Sequence, residues 1–229
     1  MRFVTVAGPP SVGKTSVILR AIEVLAGTGV KVGVVKFDCI STRDRQLFER
    51  AGVPVAVGLA GNLCPDHFFV VNVQESLAWG KRAGLDLLVC ESAGLCNRCA
   101  PHIRDVLAVC VVDHLAGVET PQKIGPMLTM ADVVVLTKGD IVSQAEREVF
   151  SFRVRQANPR AVVVPVNGLT GQGGDHLARL FREAAEVPTL EGAQLRFSMP
   201  AALCSYCLGQ RRVGADFQMG NVRKMEFPA

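Results

Sequence analysis

The stretch FVTVAGPPSVGKTSV, residues 3–17, decides the fold. An apolar run of strand length leads into a loop that matches G-x-x-x-x-G-K-[ST], and a helix-like run follows. In such a P-loop, backbone N–H groups close around phosphates, and the N-terminus of the next helix faces their negative charge. We expect Lys14 to hold the β- and γ-phosphates and Thr15 to bind Mg²⁺. The loop residues predicted to bind nucleotide are Gly8, Ser11, Val12, Gly13, Lys14, Thr15 and Ser16.

Apolar runs of strand length alternate with helix-like runs over most of the chain. Strands are predicted over residues 3–7, 31–37, 53–57, 85–90, 106–112, 133–136 and 161–166, and helices over residues 14–25, 43–50, 73–83, 122–130, 144–157 and 176–185. Strands that are apolar on both faces and separated by helices are typical of a mostly parallel sheet covered on both sides. The sequence therefore predicts an α/β fold, a three-layer P-loop NTPase, over residues 1–187. Residues 188–229 have few periodic segments and are predicted to form a small irregular appendage.

The composition limits the class of protein. Hydrophobic residues make up 49% of the 229 residues, enough for a sizeable core. The net charge of +4 is mild and the basic residues are spread out, so no nucleic-acid partner is expected. No apolar run approaches the roughly 18 residues of a membrane span, and no signal peptide is recognised, so a cytoplasmic location is expected. In that compartment the eight cysteines favour metal, cluster or redox chemistry over disulfides.

Two loops predict that the base is guanine. Residues 137–140, TKGD, follow an apolar strand and match the Asn/Thr-Lys-x-Asp motif of P-loop GTPases. The carboxylate of Asp140 would accept from guanine N1–H and from the exocyclic amine, which adenine does not offer together. Residues 166–173, VNGLTGQG, are similar to the loop whose backbone touches guanine O6. The residues predicted to bind the base are Thr137, Lys138, Asp140, Asn167, Gly168 and Leu169.

Three further stretches resemble the SIMIBI-class GTPases that insert nickel into hydrogenase and urease. Residues 37–44, FDCISTRD, are similar to the switch sequence Asn-Asp-Ile-Tyr-Thr-Lys-Glu-Asp of that family, with both aspartates aligned. Residues 62–67, NLCPDH, are similar to a Gly-Gly-Cys-Pro-His metal motif with one residue inserted before the histidine. Residues 86–94, DLLVCESAG, are similar to the Asp-Leu-x-x-x-Glu-x-x-Gly strand and loop. The resemblance covers roughly residues 1–185 and stops before the appendage at residues 188–229, which we call the tail.

The resemblance implies roles for the catalytic residues, which would be Lys14, Asp38, Glu91 and Gly94. Asp38 would lie in switch I, where it would ligate Mg²⁺ or position the attacking water, and Glu91 would lie near Mg²⁺ beside Thr15. Gly94 would report the γ-phosphate through its N–H. The expected activity is Mg²⁺-dependent GTP hydrolysis. Turnover should be slow, since no arginine finger can be assigned.

The cysteines suggest a second, metal-binding site. Cys96 and Cys99 directly follow the predicted switch at Glu91–Gly94, and Cys204 and Cys207 lie in the tail. The two Cys-x-x-Cys pairs could form one tetrahedral zinc site or hold an iron–sulfur cluster, within a subunit or across a dimer. Cys64 and His67 are further candidate ligands through the resemblance, and nickel is the metal of that family.

The favoured hypothesis is a GTPase that acts as a metallochaperone or maturation factor for a metal centre in a client enzyme. Its partners would be GTP and GDP, the client metalloenzyme or an accessory protein, and a second copy of the chain. One alternative is a nucleotide-driven iron–sulfur protein of redox or electron-transfer function. Another is a nucleotide-binding regulator with a structural zinc site. The metal and the client stay open at this point.

Overall fold

The computed structural model describes residues 1–95, 102–198, 209–219 and 222–228. The described strands are β1 (Arg2–Ala7), β2 (Val32–Asp38), β3 (Val55–Leu59), β4 (Leu87–Glu91), β5 (Leu107–Asp113), β6 (Val133–Thr137) and β7 (Val162–Pro165). The described helices are α1 (Lys14–Ala26), α2 (Asp44–Arg50), α3 (Pro65–Arg82), α4 (Thr120–Lys123), α5 (Pro126–Thr129), α6 (Gln144–Ala157) and α7 (Gly174–Glu183). Short 3₁₀ helices lie at His114–Ala116, Gly139–Ile141 and Ala215–Phe217. Over these ranges, none of the helices has the length and hydropathy of a membrane span.

The strands form one parallel sheet in the order β3-β2-β4-β1-β5-β6-β7. From β1 the chain forms β2 and β3 on one side, returns to place β4 between β2 and β1, and then adds β5, β6 and β7 on the other side. In open α/β sheets the crevice at such a reversal, outside the carboxyl ends of the strands, binds ligands. The P-loop follows β1 directly and therefore lies at this crevice. The predicted P-loop NTPase fold is confirmed.

The sheet is buried because helices cover both faces. Alternate side chains of each strand point to opposite faces, and nearly all of them are apolar. One face packs against α1, α2 and α7, and the other packs against α3 and, further along, against α5 and α6. Each fully buried large side chain contributes roughly 1.5–3 kcal/mol. The largest of these core side chains are Phe3, Phe37, Phe48, Phe68, Phe69 and Phe181.

The helix predicted over residues 73–83 begins earlier, at Pro65. Proline suits the first helical position because its fixed φ matches the helix and its missing N–H would have had no partner there. The first half of α3 is buried almost all round, including residues 66–73, so it lacks the one-sided apolar pattern that marks a helix. Cys64 is consequently the N-cap residue of α3.

The helix predicted over residues 122–130 is two short helices, α4 and α5. Gly125, at φ +66°, and Pro126 separate them. A proline cannot donate a backbone hydrogen bond to the preceding turn, which ends α4 before it.

The described parts of the tail pack on the α3 side of the sheet. The side chain of Gln74 donates to the carbonyls of Leu190, at 3.1 Å, and Val213, at 3.2 Å. Asn72, two residues earlier in α3, donates to the carbonyl of Arg223 at 2.9 Å. Polar side chains of α3 therefore hold irregular tail segments by their backbone, while apolar tail residues join the same core.

Candidate functional site: the nucleotide crevice

The P-loop, residues 8–15, joins β1 to α1 at the carboxyl end of the sheet. Lys14 is only 5% exposed, and its Nζ donates to the carbonyls of Gly8, at 2.9 Å, and Pro9, at 3.0 Å. Burial lowers the pKa of Lys14, although the charge of Glu91 opposes this. The side chain of Lys14 turns back onto its own loop. Its ammonium is therefore positioned to exchange these carbonyls for phosphate oxygens.

The hydroxyl of Thr15 lies between two carboxylates. Thr15 Oγ1 is 3.1 Å from Oδ2 of Asp44 and 3.0 Å from each carboxylate oxygen of Glu91. Glu91 ends β4 and Asp44 begins α2, so two elements that are distant in sequence supply the two acids. Magnesium in nucleotide sites is held through one or two carboxylates together with phosphate oxygens and water. This donor set therefore fits Mg²⁺.

Asp38, for which the sequence predicted a role near Mg²⁺, lies at the edge of this cluster. Its Oδ1 accepts from the backbone N–H of Cys39 at 2.8 Å, and its Oδ2 is 3.9 Å from Nζ of Lys36. The aspartate that contacts Thr15 is Asp44, the second aspartate of the switch sequence.

Lys36 places a buried cation in the same cluster. Its Nζ is 2.5 Å from Oε1 of Glu91 and 2.9 Å from Oδ2 of Asp44, and the residue is 5% exposed. Burial alone would lower the pKa of Lys36, but Glu91 and Asp44 raise it above its usual value. Burial raises the pKa of Glu91, which is 1% exposed, and the positive charges of Lys36 and Lys14 oppose that rise. Lysine is seldom buried without such partners.

Gly94 lies directly against the P-loop. Its φ is +72°, and a Cβ there would lie 1.7 Å from the carbonyl oxygen of Gly8 and 3.2 Å from Nζ of Lys14. Any side chain would collide with backbone, so only glycine fits. The backbone of Gly94 is thereby next to the predicted position of the γ-phosphate.

At the base end, two hydrogen bonds tie the TKGD motif to the P-loop. Thr137 Oγ1 donates to the carbonyl of Val12 at 2.6 Å, and Nζ of Lys138 donates to that of Ser11 at 2.8 Å. Lys138 has a left-handed backbone, with φ +56°. Asp140 is exposed, so its carboxylate can accept hydrogen bonds from a nucleotide base that enters from solvent.

Asp113 is a further residue at the base end. It ends β5, and its Oδ2 is 2.5 Å from Nζ of Lys138. Asp113 is buried, whereas Lys138 is partly exposed. Asp113 therefore positions Lys138 from below the loop.

The loop at residues 167–169 lies over the start of α1. Asn167 Oδ1 accepts from the backbone N–H of Leu169 at 2.8 Å, which closes a tight turn. Arg20 of α1 donates to the carbonyls of Gly168, at 3.0 Å, and Leu169, at 2.9 Å. An open cavity of about 790 Å³ is lined by residues of both base motifs, including Asp140 and Asn167.

Thiols lie beside the phosphate end. Cys39 directly follows Asp38, and burial raises the pKa of its thiol, with the charges of Asp38 and Asp66 adding to the effect. Cys64 is the N-cap residue of α3, and Asp66 and His67 are buried in the first turn of that helix. Burial raises the pKa of Asp66 to about 7, with Lys14 opposing, and neither carboxylate oxygen of Asp66 has a hydrogen-bond partner among the described residues.

The predicted cysteine site cannot be placed. Cys96, Cys99, Cys204 and Cys207 lie outside the described residues. Across the ranges that the structure describes, no three His, Cys, Asp or Glu side chains converge as a metal-binding group. The site at these four cysteines therefore stays a prediction, and so does metal binding by Cys64 and His67.

The sequence patterns predicted no role for Lys36, Asp44 or Asp113. Asp44 stood in the quoted switch sequence as the second aligned aspartate, but only the first was given a role. Lys36 is the one cation in the apolar strand VGVVKFD, and Asp113 ends the apolar run LAVCVVD. A charged residue at the carboxyl end of a buried strand was the available signal in both cases.

The crevice has the parts of a P-loop GTPase: a phosphate loop, a hydroxyl between carboxylates, and a TKGD motif tied to that loop. Residues 2–165 match the family described as "CobW/HypB/UreG, nucleotide-binding domain". The chain belongs to this family and is a GTP hydrolase, which confirms the resemblance and the predicted activity.

The chain is also similar to individual known proteins. The chain is 46% identical over 226 residues to an uncharacterized protein of Methanocaldococcus jannaschii, covering 99% of this chain and 97% of that protein. It is 31% identical over 192 residues to urease accessory protein UreG 2 of Streptomyces griseus, covering 76% and 84%. The crystal structure of HypB from Helicobacter pylori in complex with nickel has the same fold, with a TM-score of 0.65, 16% identity, and 80% and 86% of the two chains covered.

Proposed function

We propose that the chain is a Mg²⁺-dependent GTPase that binds a transition metal in a nucleotide-dependent way and serves the assembly of a metal centre in a client enzyme. Nickel is the first candidate metal. The observation that carries this proposal is the direct backbone connection between the end of β2, where the switch begins, and the loop that leads to Cys64.

This connection consists of two hydrogen bonds. The backbone N–H of Ala60 donates to the carbonyl of Asp38 at 2.8 Å, and that of Gly61 donates to the carbonyl of Cys39 at 2.7 Å. Cys64 follows three residues later. A movement of the switch on exchange of GTP for GDP would therefore be passed to both thiols, as in switches that are ordered by the γ-phosphate.

Charge provides a second connection. Metal-binding thiols must lose their proton, and the raised pKa of Cys39 opposes this. Asp38 is one cause of that raised pKa, so any cation that neutralises Asp38 favours the thiolate of Cys39. The affinity of the thiols for a metal would then depend on the nucleotide state.

The relatives support nickel and a client enzyme. The Streptomyces griseus protein is by name a urease accessory protein, and the Helicobacter pylori HypB structure contains nickel. The ligand chemistry of this chain supports the same role, because the Cys64–His67 stretch supplies a thiolate and an imidazole that both suit nickel.

A homodimer is part of the proposal. Cys64 and His67 would supply two ligands from each chain, and a second copy would complete a four-ligand set. Apolar residues are exposed near the switch, among them Ile40, at 79%, and Leu95, at 58%. Light scattering with and without Ni²⁺ and a non-hydrolysable GTP analogue tests this, and a monomer under every condition would contradict it.

The main test is the affinity for Ni²⁺ in the two nucleotide states. We expect the affinities of the GTP-analogue and GDP forms to differ by about tenfold, a coupling of ~1.4 kcal/mol. Cys64→Ser should remove this difference. The matched control is Cys110→Ala, because burial in β5 raises the pKa of the Cys110 thiol to about 12 and keeps it protonated.

Other outcomes identify the alternatives. Tightly bound zinc whose affinity is the same in the GTP and GDP forms would favour a regulator with a structural metal. Visible absorption that is bleached by reductant, after purification without oxygen, would favour an iron–sulfur protein. Metal counting on a Cys96→Ser, Cys99→Ser double variant and on a Cys204→Ser, Cys207→Ser double variant decides whether the two pairs share one site, since a shared site loses its metal in both.

A further inference from the structure

Lys36 is a cation at a place where Mg²⁺ is expected. It lies near the carboxyl end of β2, between neighbours whose side chains form the core on the opposite face of the sheet. Its Cα is in register with that of Glu91 on the adjacent strand β4, so the two side chains leave the sheet on the same face. The pairing of Lys36 with Glu91 is therefore fixed by strand register and not by a flexible loop.

The Lys36 ammonium and the Thr15 hydroxyl contact the same two carboxylate oxygens. Oδ2 of Asp44 is 2.9 Å from Nζ of Lys36 and 3.1 Å from Oγ1 of Thr15. Oε1 of Glu91 is 2.5 Å from that Nζ and 3.0 Å from that Oγ1. A cation bound at Thr15 through either of these two oxygens would compete with Lys36 for it, while Oε2 of Glu91, also 3.0 Å from that Oγ1, would be a further ligand.

The cluster has more acidic than basic side chains. Asp38, Asp44 and Glu91 would together carry three negative charges, and Lys36 is the only cation within 4.0 Å of any of them among the described residues. Leaving buried carboxylates without a cation is strongly unfavourable. Lys36 therefore allows Asp44, at the start of α2, to stay next to Glu91 when no metal ion is present.

We propose that Lys36 is an internal counter-ion of the magnesium site, which holds Asp44 and Glu91 together in the nucleotide-free protein and competes with Mg²⁺ for them. Lys36 thereby sets the Mg²⁺ concentration at which the protein retains GTP. This inference rests on the GTPase activity and on the position of Thr15, and it is independent of the metal or client in the proposed function.

The test is the concentration of free Mg²⁺ that gives half-maximal binding of a fluorescent GTP analogue. Lys36→Met keeps the length of the side chain and removes its charge, so we expect this midpoint to fall about tenfold or more, which corresponds to ~1.4 kcal/mol. Lys36→Arg keeps the charge, and its midpoint should stay within about threefold of wild type. Lys31→Met is the matched control, because Lys31 precedes the same strand and is exposed.

A second readout needs no GTP. Without nucleotide, Lys36→Met should melt at a lower temperature than wild type, since its carboxylates lack a cation. Mg²⁺ alone should then raise the melting temperature of Lys36→Met more than it raises that of wild type or Lys31→Met. Equal responses to Mg²⁺ in all three proteins would contradict competition.

If Lys36→Met does not fold, an NMR measurement on the wild-type protein provides the test. In protein labelled with ¹⁵N-lysine, the side-chain signal of Lys36, assigned by its loss in Lys36→Arg, should be visible without nucleotide and should shift on addition of Mg²⁺ and GTP. A signal that does not move overturns the inference.

Different outcomes would contradict the role of Lys36 and the GTPase activity. A Mg²⁺ midpoint that is unchanged or raised in folded Lys36→Met, with GTP still bound, overturns the role of Lys36 and leaves the GTPase intact. Absence of GTP binding by the wild-type protein at any Mg²⁺ concentration would instead contradict the GTPase on which the inference rests.

Discussion

The two ends of the nucleotide crevice are built from different kinds of contact. At the phosphate end, Lys14, Lys36 and Glu91 are at most 5% exposed. Lys36 and Glu91 are held by charged side chains of neighbouring elements, and Lys14 is held by carbonyls of its own loop. At the base end, Asp140 and Leu169 are exposed, Leu169 to 81%, and the loops are held largely through backbone carbonyls. The phosphate end is thus a buried ionic cluster, and the base end is a pair of surface loops fixed to a scaffold.

This difference separates two kinds of substitution. Charges interact more strongly when water is excluded, so a change at the phosphate end should alter both chemistry and the stability of the fold. A change to an exposed side chain at the base end should alter the choice of nucleotide and leave stability within about 0.5 kcal/mol.

Lys14→Ala should abolish turnover. We expect phosphate release at saturating Mg²⁺ and GTP to fall by about 100-fold or more, because one preorganised donor to the transition-state charge is worth that much. The carbonyl partners of Lys14 belong to the loop and not to the core, so the chain should still fold. Lys123→Ala, at an exposed lysine of α4, is the control. Phosphate release equal to wild type would remove the P-loop lysine from the mechanism.

Asp140→Asn should change nucleotide selectivity without changing the melting temperature. Hydrogen bonds to a charged acceptor contribute roughly 1.5–3 kcal/mol, so affinity for GTP should fall tenfold or more. Affinity for xanthosine triphosphate should rise, since its second carbonyl can accept from the new amide. Binding titrations with both nucleotides and with ATP measure this. Wild-type protein that binds ATP as tightly as GTP would show the guanine assignment to be wrong.

The fold could be predicted in advance because the strands are uninterrupted apolar runs that alternate with helices. The P-loop and the TKGD motif could be placed because each follows such a strand. The start of α3 was missed because its first half is buried almost all round, which removes the one-sided pattern on which prediction depends.

Lys36 could not be predicted for another reason. A lysine in an apolar strand usually points to solvent or lies at an edge, and sequence alone does not give the register that pairs Lys36 with Glu91. The same is true of Asp44, whose distance from Thr15 depends on how α2 packs. Contacts between elements distant in sequence are set by tertiary structure, and no local pattern reports them.

Asp44→Asn should raise the Mg²⁺ requirement for GTP binding more than Asp38→Asn does. Asp44 contacts Thr15 directly, whereas Asp38 is bonded to the backbone of Cys39. We expect an increase of about tenfold for Asp44→Asn, the size of one lost interaction with a charged group, and a smaller one for Asp38→Asn. Mg²⁺ titrations of GTP binding compare the two. A larger effect of Asp38→Asn would show that Asp38 moves into the site when nucleotide binds.

Asp113→Asn tests the ion pair between Asp113 and Lys138 at the base end. The pair with Lys138 is partly screened, because Lys138 is 33% exposed at its side chain and keeps its bond to Ser11. A loss of ~1 kcal/mol would weaken nucleotide binding about fivefold. Since Asp113 and Lys138 lie away from the γ-phosphate, affinities for GTP and GDP should fall by the same factor, measured by titration with both. Asp175→Asn, at an exposed acid of α7, is the control.

A double-mutant cycle makes this last comparison specific. If Asp113 acts only by positioning Lys138, then Asp113→Asn should have little further effect in a Lys138→Met background. Additive effects would show that Asp113 acts by another route. A loss confined to GTP would mean that the base end senses the γ-phosphate, and the separation of the crevice into an ionic end and a loop end would not describe how the protein distinguishes its two nucleotides.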